Sequence, residues 1–291
     1  YVGERDQGPD AGPCLGAPFM ALDIAKEKHA TMILLLPDAP IDDDIAHDLL
    51  EAKLRGSMVV DIRSFYEHVV QRLPISQITD EWLLQTEGFS LNTRGSLRRL
   101  KRALDVLISL VLLIPATPIM LLTALIVRLE SPGPVIYKQD RVGLFEKEFT
   151  VYKFRSMRLD AEKFGPQLSH TGGENDSRLT KTGRFIRAHH LDELPQLYNV
   201  LRGDMAFIGP RPERKFYIDQ ILEHDKRYTY LYQIRPGVTS YATLYNGYTD
   251  TMEKMLRRLE YDLYYLGHRS WWFDFKILLN TFCSIVLGKK F

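Results

Sequence analysis

Cysteine is nearly absent from this sequence. Only Cys14 and Cys283 occur among the 291 residues, near opposite ends of the chain, and neither has a cysteine or histidine nearby at the spacing of metal ligands. This scarcity excludes a disulfide framework and a structural zinc site. It is typical of a protein that works in a reducing compartment.

Excess charge is also lacking, because 38 basic residues face 37 acidic ones and the formal net charge is +1. No overall electrostatic field therefore favours nucleic acid as a partner. Apolar residues make up 45% of the chain, yet the mean hydropathy is only −0.19. The hydrophobic residues must therefore be concentrated in a few segments of a chain that is long enough for two domains.

Residues 1–92 lack both a signal segment and a dinucleotide-binding motif. The sequence opens at Tyr1 and not at Met, so we expect the chain to be part of a longer protein. An apolar run at 31–38, a helical pattern at 45–56 and a second apolar run at 57–65 predict one βαβ unit. Because no G-x-G-x-x-G turn follows the first strand, we predict a partial or regulatory Rossmann-like domain without a bound dinucleotide.

One long hydrophobic run occupies residues 103–127, with Asp105 as its single charged residue. Five basic residues precede it within residues 94–102, a pattern that on its own is typical of a solvated helix start. A straight helix of this length is about 37 Å long, enough to cross a hydrocarbon core of about 30 Å. We predict a membrane helix with a basic collar, because the alternative, a buried helix of a soluble protein, does not explain a run that is apolar on all sides.

Two prolines interrupt this run. Pro115 and Pro118 each remove a backbone hydrogen-bond donor, and Thr117 between them can donate its hydroxyl to a freed carbonyl. We predict a re-entrant helical hairpin that enters and leaves the membrane by the same face, with a kinked spanning helix as the alternative. Basic residues before the run and Arg128 after it favour an anionic, cytoplasmic face.

Aromatic residues are concentrated near the C-terminus. Residues 269–291 are largely apolar and include Trp271, Trp272, Phe273 and Phe275. Such a segment is typical of an amphipathic helix in the membrane interface. Packing of the same side chains against the protein's own core is an equal alternative.

The region between these segments holds two sets of regularly spaced cations. One set alternates with apolar residues, as on a strand, and consists of Lys153, Arg155 and Arg158. The other recurs every third residue, as on one side of a helix, and consists of Arg178, Lys181, Arg184 and Arg187. Like charges held this close favour a bound anion, and we predict phosphate, although a salt bridge is the better explanation for any single member.

Two adjacent acids, Asp192 and Glu193, follow the second set and precede Pro195. Proline prefers the first turn of a helix, so we expect the acids at or just before a helix N-terminus, where an ionised carboxylate is favoured. An ionised aspartate can bind Mg²⁺ or attack phosphorus to form an acyl phosphate. A simple capping pair is the alternative, and His189 and His190 are candidates for supporting the acids.

Four stretches together carry a family resemblance. In order, behind the proline-broken helix, they are KFRSM (153–157), SRLTKTGRFIR (177–187), LDELPQLYNVLRGDMAFIGPRP (191–212) and RPGVTS (235–240). Over roughly residues 95–291 the chain resembles the bacterial monotopic phosphoglycosyl transferases. Residues 1–92 resemble the end of the Rossmann-like domain of the large members, whose four N-terminal transmembrane helices are absent from this chain.

The resemblance implies transfer of a sugar 1-phosphate from a UDP-sugar to polyprenyl (undecaprenyl) phosphate, with release of UMP. It implies that Asp192 is the nucleophile and carries the phosphosugar covalently, while Glu193 assists metal binding or proton transfer. Mg²⁺ is the expected cofactor, bound at both acids. This reaction is the first membrane step of exopolysaccharide or O-antigen synthesis.

The resemblance also bears on the surrounding residues. Arg187 and Arg211 match basic positions of the family motif, and Thr117-Pro118 takes the place of the family's Ser-Pro break. The predicted contacts to phosphate or nucleotide are these two arginines together with Lys153, Arg155 and Arg178. After RPG the chain lacks the Gly-Gln pair of many members, so the sugar is not specified. Three tyrosines there either stack on a ligand or pack in the core: Tyr241, Tyr245 and Tyr248.

The predicted fold is an α/β Rossmann-like fragment at 1–92, a basic collar with a re-entrant membrane helix at 93–130, and a mostly α, α+β membrane-associated catalytic domain at 131–291. We expect it at the cytoplasmic face of the bacterial inner membrane. The expected partners are UDP-sugar, polyprenyl phosphate, anionic lipid and a second copy in a homodimer. Two other functions compete: a non-catalytic membrane scaffold or sensor derived from such a transferase, and a metal-dependent phosphatase at the membrane.

Overall fold

The computed structural model describes residues 14–15, 17–36, 41–85, 89, 95–163, 165, 176–247 and 249–287. The chain forms two compact units, and the division falls between Asp80 and Glu81. The first unit holds the predicted α/β segment. The second holds the long apolar run and all the candidate site residues.

The first unit contains the predicted βαβ arrangement. Strand β1 (Met32–Leu35) pairs in parallel with β2 (Met58–Asp61), after a short helix α1 (Ala21–Glu27), and helix α2 (Asp43–Leu54) connects the two strands. The prediction of strand, helix and strand is therefore confirmed. A Rossmann-like fold needs further parallel strands, so that identification stays a prediction.

The second strand is shorter than the run at 57–65 predicted, because Asp61 begins a helix. Its carboxylate accepts hydrogen bonds from the backbone N–H groups of Arg63 and Ser64, which caps α3 (Ile62–Val70). The strand prediction is therefore wrong beyond Asp61.

The described residues of the second unit form helices, one antiparallel hairpin and one parallel strand pair. The hairpin joins β3 (Ile136–Val142) to β4 (Glu148–Phe154), and the parallel pair joins β5 (Ala206–Ile208) to β6 (Gly237–Thr239). The helices from the unit boundary onward are α4 (Asp80–Gln85), α5 (Gly95–Glu130), α6 (Lys181–Ala188), α7 (Gln196–Arg202), α8 (Lys215–His224), α9 (Tyr241–Asn246), α10 (Met252–Gly267) and α11 (Trp271–Val286). The predicted mostly helical, α+β character is confirmed.

The turn that follows β5 and the start of β6 approach each other too closely for any side chain. A methyl group at Gly209 would lie 2.2 Å from the carbonyl oxygen of Arg235, and one at Gly237 would lie 2.2 Å from the backbone nitrogen of Gly209. Both positions therefore require glycine. The two backbone segments are held side by side.

Helix α5 continues through both prolines without interruption. The hydroxyl of Thr117 donates to the carbonyl of Leu113 at 2.6 Å, whereas the prolines free the carbonyls of Val111 and Ile114. The prediction that Thr117 would satisfy a freed carbonyl is therefore wrong. The helix has no break that reverses its direction, so the re-entrant hairpin at Pro115 and Pro118 is not confirmed and stays a prediction.

One side of α5 contacts the second unit along its whole length. Near its start the guanidinium of Arg102 donates to the carbonyl of Val200, in its middle Ala116 is buried, and near its end Val127 packs against Ile186. Among the described residues, α5 is the one helix long and apolar enough to cross a membrane. Its opposite side is covered by exposed apolar residues that include Leu107, Leu110, Ile114, Leu121, Leu125 and Leu129.

Helix α11 divides its aromatic residues between the core and the surface. Phe273 packs against the core, whereas Trp272 is 73% exposed. Asp274 accepts a hydrogen bond from Lys101 Nζ at 2.6 Å, which ties α11 to the start of α5. The alternative of core packing is therefore confirmed for part of this segment, and the helix in the membrane interface stays a prediction that the exposed aromatic side chains fit.

Arg155 fastens the chain just beyond the end of α5. Its guanidinium donates to the carbonyl of Pro132 at 2.9 Å, and to the carbonyl and hydroxyl of Ser131 at 2.7 and 2.8 Å. The residue is almost completely buried, with 5% exposed. These contacts give Arg155 a structural role at the helix end.

The Arg155→Met variant is expected to lower the free energy of unfolding by roughly 2–3 kcal/mol, because buried carbonyls lose a charged donor. Thermal or urea unfolding of the purified protein in detergent micelles measures the change. Arg158→Met is the matched control, since that side chain is 62% exposed and lies 3.5 Å from Asp160, and its loss should change stability little. Equal losses in the two variants would contradict the role of Arg155.

Candidate active site

A tight connection between α6 and α7 positions the two acids. After α6, His190 adopts a left-handed conformation (φ 54°, ψ 18°), which is uncommon for a residue other than glycine and turns the chain. Asp192 and Glu193 follow in a single 3₁₀ turn, and Pro195 immediately precedes α7. The acids therefore lie just before a helix N-terminus, as the proline predicts.

Glu193 is bound by two cations from distant parts of the chain. Its Oε1 atom accepts one hydrogen bond from Lys153 Nζ at 2.7 Å and another from Arg211 Nη2 at 3.0 Å. Burial alone raises the pKa of Glu193, but the charges of Lys153 and Arg211 outweigh burial and hold the pKa well below its usual range. Glu193 is therefore ionised and its charge is balanced.

Asp192 has a different environment from its neighbour. It is only 6% exposed, no described residue donates a hydrogen bond to its carboxylate, and the surrounding groups act on it through their charges. Burial and the negative charge of Glu193 raise the pKa of Asp192 to about 6, while Lys153 and Arg187 oppose the rise. Asp192 is therefore ionised at neutral pH and more basic than an ordinary aspartate.

From the second basic set the structure brings Arg187 to the acids but not Arg178. Arg187 acts on Asp192 through its charge, and its Nη1 atom is buried without a hydrogen-bond partner in the described part of the chain. Helix α6 begins at Lys181, so Arg178 lies before the helix and pairs with Asp176 at 2.6 Å. The prediction of one helical set is therefore wrong at Arg178. The buried nitrogen of Arg187 is suited to an anionic oxygen.

A small open cleft lies beside the cations that bind Glu193. Its walls include apolar groups and one amide but no carboxylate. The lining residues are Arg141, Val151, Lys153, Gln196, Arg211, Pro212, Gly237 and Val238. Three cations in a partly apolar cleft favour an anionic ligand that also has an uncharged portion.

Three charged residues of this region were not predicted from the sequence. Glu213 accepts hydrogen bonds from Arg141 at 2.8 Å and from Arg258 at 2.7 Å. The position of Glu213 directly after Pro-Arg-Pro was the available signal. The two arginines lie 72 and 45 residues from Glu213 in the sequence, so no local pattern marks them. Conversely, the predicted contact residue Arg155 binds backbone carbonyls beyond α5.

The two histidines next to the acids differ in burial. His189 is exposed, and its Nδ1 lies 2.9 Å from the carbonyl oxygen of Phe185. Burial lowers the pKa of His190, and Arg211 lowers it further against the opposing charge of Glu193. His190 therefore places a neutral imidazole near the acids at neutral pH.

The two acids on their own do not form a complete metal cage. Among the described residues, no group of three or more His, Cys, Asp or Glu is arranged to hold a metal ion. Asp192 and Glu193 supply two adjacent carboxylates, and Glu193 Oε1 is already shared by Lys153 and Arg211. Mg²⁺ is often held by one or two carboxylates together with waters and substrate phosphates. The donor set fits that mode of binding.

The tyrosines after β6 have separate environments. Tyr241 is 2% exposed, which confirms its place in the core. Tyr245 is about half exposed and stacks on Tyr261 with ring centroids 6.2 Å apart. Tyr248 lies outside the described residues.

Comparison with known families identifies the second unit. A family model described as bacterial sugar transferase matches residues 96–288, which include all of α5 except its first residue, both acids and the cationic cleft. The match covers well over half of the chain.

Several named proteins are similar to this chain. A UDP-N-acetylgalactosamine-undecaprenyl-phosphate N-acetylgalactosaminephosphotransferase of Aeromonas hydrophila is 36% identical over 251 residues, 85% of this chain and 57% of that protein. The UDP-glucose:undecaprenyl-phosphate glucose-1-phosphate transferase of Escherichia coli K12 is 42% identical over 190 residues, which are 64% of this chain and 40% of that protein. The protein of the same name from Xanthomonas campestris pv. campestris is 36% identical over 310 residues, which are 99% of this chain and 59% of that protein. The chain spans about half the length of these relatives. The family match confirms the resemblance, and the chain belongs to the bacterial sugar transferase family.

Proposed function

We propose that this protein transfers a sugar 1-phosphate from a UDP-sugar to undecaprenyl phosphate and releases UMP. Similar proteins are named for transfer of glucose 1-phosphate or N-acetylgalactosamine phosphate to undecaprenyl phosphate. The observation that carries the proposal is the contrast between two adjacent acids, Asp192 buried without a bound cation and Glu193 bound by two cations. A membrane scaffold or sensor has no need of this contrast.

In the first step a carboxylate oxygen of Asp192 attacks the β-phosphorus of the UDP-sugar. The new P–O bond forms as the bond from this phosphorus to the bridging oxygen breaks, and UMP leaves with that oxygen. The phosphosugar remains on Asp192 as an acyl phosphate. Asp192 suits this role because its pKa of about 6 keeps it ionised yet more basic than usual, whereas Glu193 Oε1 is held by two charged donors.

In the second step an oxygen of the lipid phosphate attacks the same phosphorus, and Asp192 leaves as a carboxylate. The enzyme is restored, and the sugar is attached to the lipid through a pyrophosphate. The 6% exposure of Asp192 limits the access of water. Burial therefore protects the acyl phosphate from hydrolysis between the two steps.

The cations around the acids balance the charge of the substrate. The charges of Lys153 and Arg211 act on both acids, and that of Arg187 acts on Asp192. Guanidinium and ammonium groups are suited to pyrophosphate oxygens and to the departing UMP. Glu193 holds Lys153 and Arg211 in place before the substrate binds. Mg²⁺, held by Asp192 and Glu193 together with the substrate phosphates, would neutralise further charge on the pyrophosphate.

We infer that α5 is submerged in one leaflet, with both ends at the cytoplasmic face of the inner membrane. Near its start Arg102 bonds Val200, and at its end Glu130 accepts a hydrogen bond from the backbone N–H of Thr182. A spanning helix would place its two ends on opposite sides of a hydrocarbon core about 30 Å thick. Here both ends contact the same compact unit, which argues against a spanning helix. The exposed apolar sides of α5 and α11 supply the membrane contact.

Incubation with a UDP-sugar labelled in its sugar, with Mg²⁺ and without lipid, is expected to release UMP and leave label on the protein. Asp192→Asn should lower both signals by at least about a thousandfold, because an amide is a poor nucleophile. Mass spectrometry of the trapped protein should locate the adduct on Asp192.

Asp160→Asn is the control for this experiment, because the side chain of Asp160 is 62% exposed, and it should label like the unmodified protein. A metal-dependent phosphatase would release products without retaining label, and a scaffold would release no UMP. Undiminished labelling of Asp192→Asn would exclude this residue as the nucleophile.

As the pH is lowered, the kcat/KM for UMP release is expected to fall with a midpoint near the Asp192 pKa of about 6, because the protonated acid cannot attack phosphorus. Activity is kept above this pH and lost as the pH falls through it. Lys153→Met removes a charge that lowers this pKa, so the midpoint should move to higher pH. A midpoint near pH ~4, the range of an ordinary aspartate, in both proteins would contradict this account.

Single cysteines on either side of α5's apolar portion test the membrane arrangement. In a background with Cys14 and Cys283 replaced by serine, Arg99→Cys and Pro134→Cys, both at exposed positions, should react with an impermeant maleimide at the cytoplasmic side of membrane vesicles. A spanning helix would leave one of the two positions unreactive from that side.

A further inference from the structure

The turn that carries Arg211 is anchored to the rest of the second unit through its backbone carbonyls. Four consecutive carbonyls, from Pro210 to Glu213, each accept a hydrogen bond from another part of the second unit. The pairs are Gly237 N–H to the Pro210 carbonyl at 2.9 Å, Arg258 Nη2 to the Arg211 carbonyl at 3.3 Å, Arg141 Nη1 to the Pro212 carbonyl at 2.9 Å, and Val142 N–H to the Glu213 carbonyl at 3.1 Å. Two of the four donors are therefore guanidinium groups.

One carboxylate binds both of these guanidinium groups. Glu213 Oε2 accepts from Arg141 at 2.8 Å and Oε1 accepts from Arg258 at 2.7 Å, and the side chain is only 12% exposed. Asp262 also lies 3.7 Å from Arg258, but its oxygens accept no hydrogen bond in the described part of the chain. Gln139 Oε1 also accepts a hydrogen bond from Arg141 Nε at 2.9 Å, but Glu213 is the residue that binds both arginines and links them at the turn.

The negative charge of Glu213 offsets repulsion among the arginines around it. Arg141, Arg211 and Arg258 lie close enough for their positive charges to act on one another, and like charges in a buried region repel strongly. Burial raises the pKa of Glu213, but Arg258 and Arg141 outweigh burial and lower the pKa to about 2. The carboxylate is thus ionised at neutral pH. Its loss would leave Arg141 without a carboxylate partner among the described residues, and Arg258 with only the more distant Asp262.

We propose that Glu213 is a positioning residue, which acts through Arg141 and Arg258 to set where Arg211 presents its guanidinium to the phosphates of the UDP-sugar. This inference rests on the proposed function. Arg211 and Arg141 line the same cleft, and the Arg211 side chain bonds Glu193 at 3.0 Å and not Glu213. Glu213 therefore reaches the substrate site through the backbone of the turn.

The test compares Glu213→Gln and Glu213→Asp with the unmodified chain in detergent. Glu213→Gln is expected to raise the KM for UDP-sugar by about tenfold with a smaller change in kcat, because substrate binding loses a positioned cation. It should also reduce the rise in melting temperature that UDP gives to the unmodified protein. Glu213→Asp keeps the charge and should recover part of both values.

Glu253→Gln is the matched control, since Glu253 is an exposed carboxylate that pairs with Arg257 at 3.0 Å. It should leave KM, kcat and the UDP-dependent shift unchanged. If Glu213→Gln does not fold, Arg258→Lys applies the same test, because lysine keeps the charge but cannot bond Glu213 and the Arg211 carbonyl together. That variant is also expected to raise KM.

A double-mutant cycle separates positioning from general structural support. In an Arg211→Met background, Glu213→Gln should raise KM no further, since the cation that it positions is already gone. Additive effects in the cycle, or a KM within twofold of the unmodified protein in both Glu213→Gln and Arg258→Lys, would overturn the inference. If the unmodified protein neither releases UMP nor is stabilised by UDP, the proposed function itself fails, which is a distinguishable result.

Discussion

A single carboxylate oxygen, Oε1 of Glu193, holds the candidate site together. It accepts hydrogen bonds from Lys153 on β4 and from Arg211 in the turn after β5, so three separate stretches of chain meet at one atom. Both cations are thereby engaged by Glu193, and the neighbouring Asp192 accepts a hydrogen bond from neither. The chemical difference between two adjacent acids thus comes from residues that are far away in the sequence.

The sequence predicts the local parts of this site well and its long-range parts poorly. Pro195 after the acids indicates a helix start, and the apolar run at 103–127 indicates the middle of α5, because both signals lie within the element concerned. Side-chain direction depends on where an element ends. Lys153 lies within β4 and reaches Glu193. Strand β4 ends at Phe154, so the alternation of side chains along a strand no longer applies at Arg155, whose side chain binds the chain just beyond α5.

Capping side chains explain two of the other wrong predictions. Asp61 ends β2 by starting a helix, although the apolar pattern continues beyond it. Thr180 starts α6 by accepting a hydrogen bond from the N–H of Gly183, which leaves Arg178 outside the helix. Periodicity alone does not detect such boundaries, because one side-chain oxygen at the right place is enough to start a helix. No local sequence pattern predicted the two arginines that bind Glu213, because they are distant from it in the sequence and meet it only in the folded chain.

The two glycines beside β5 and β6 have a consequence for ligand recognition. There is no space for even a methyl group between Gly209 and the segment from Arg235 to Gly237, and Gly237 also lines the cleft. A side chain at either glycine would push these two backbone segments apart and so change this side of the cleft. Under the proposed function, a change of donor sugar is therefore expected to require different side chains around the cleft and not a different course of this backbone.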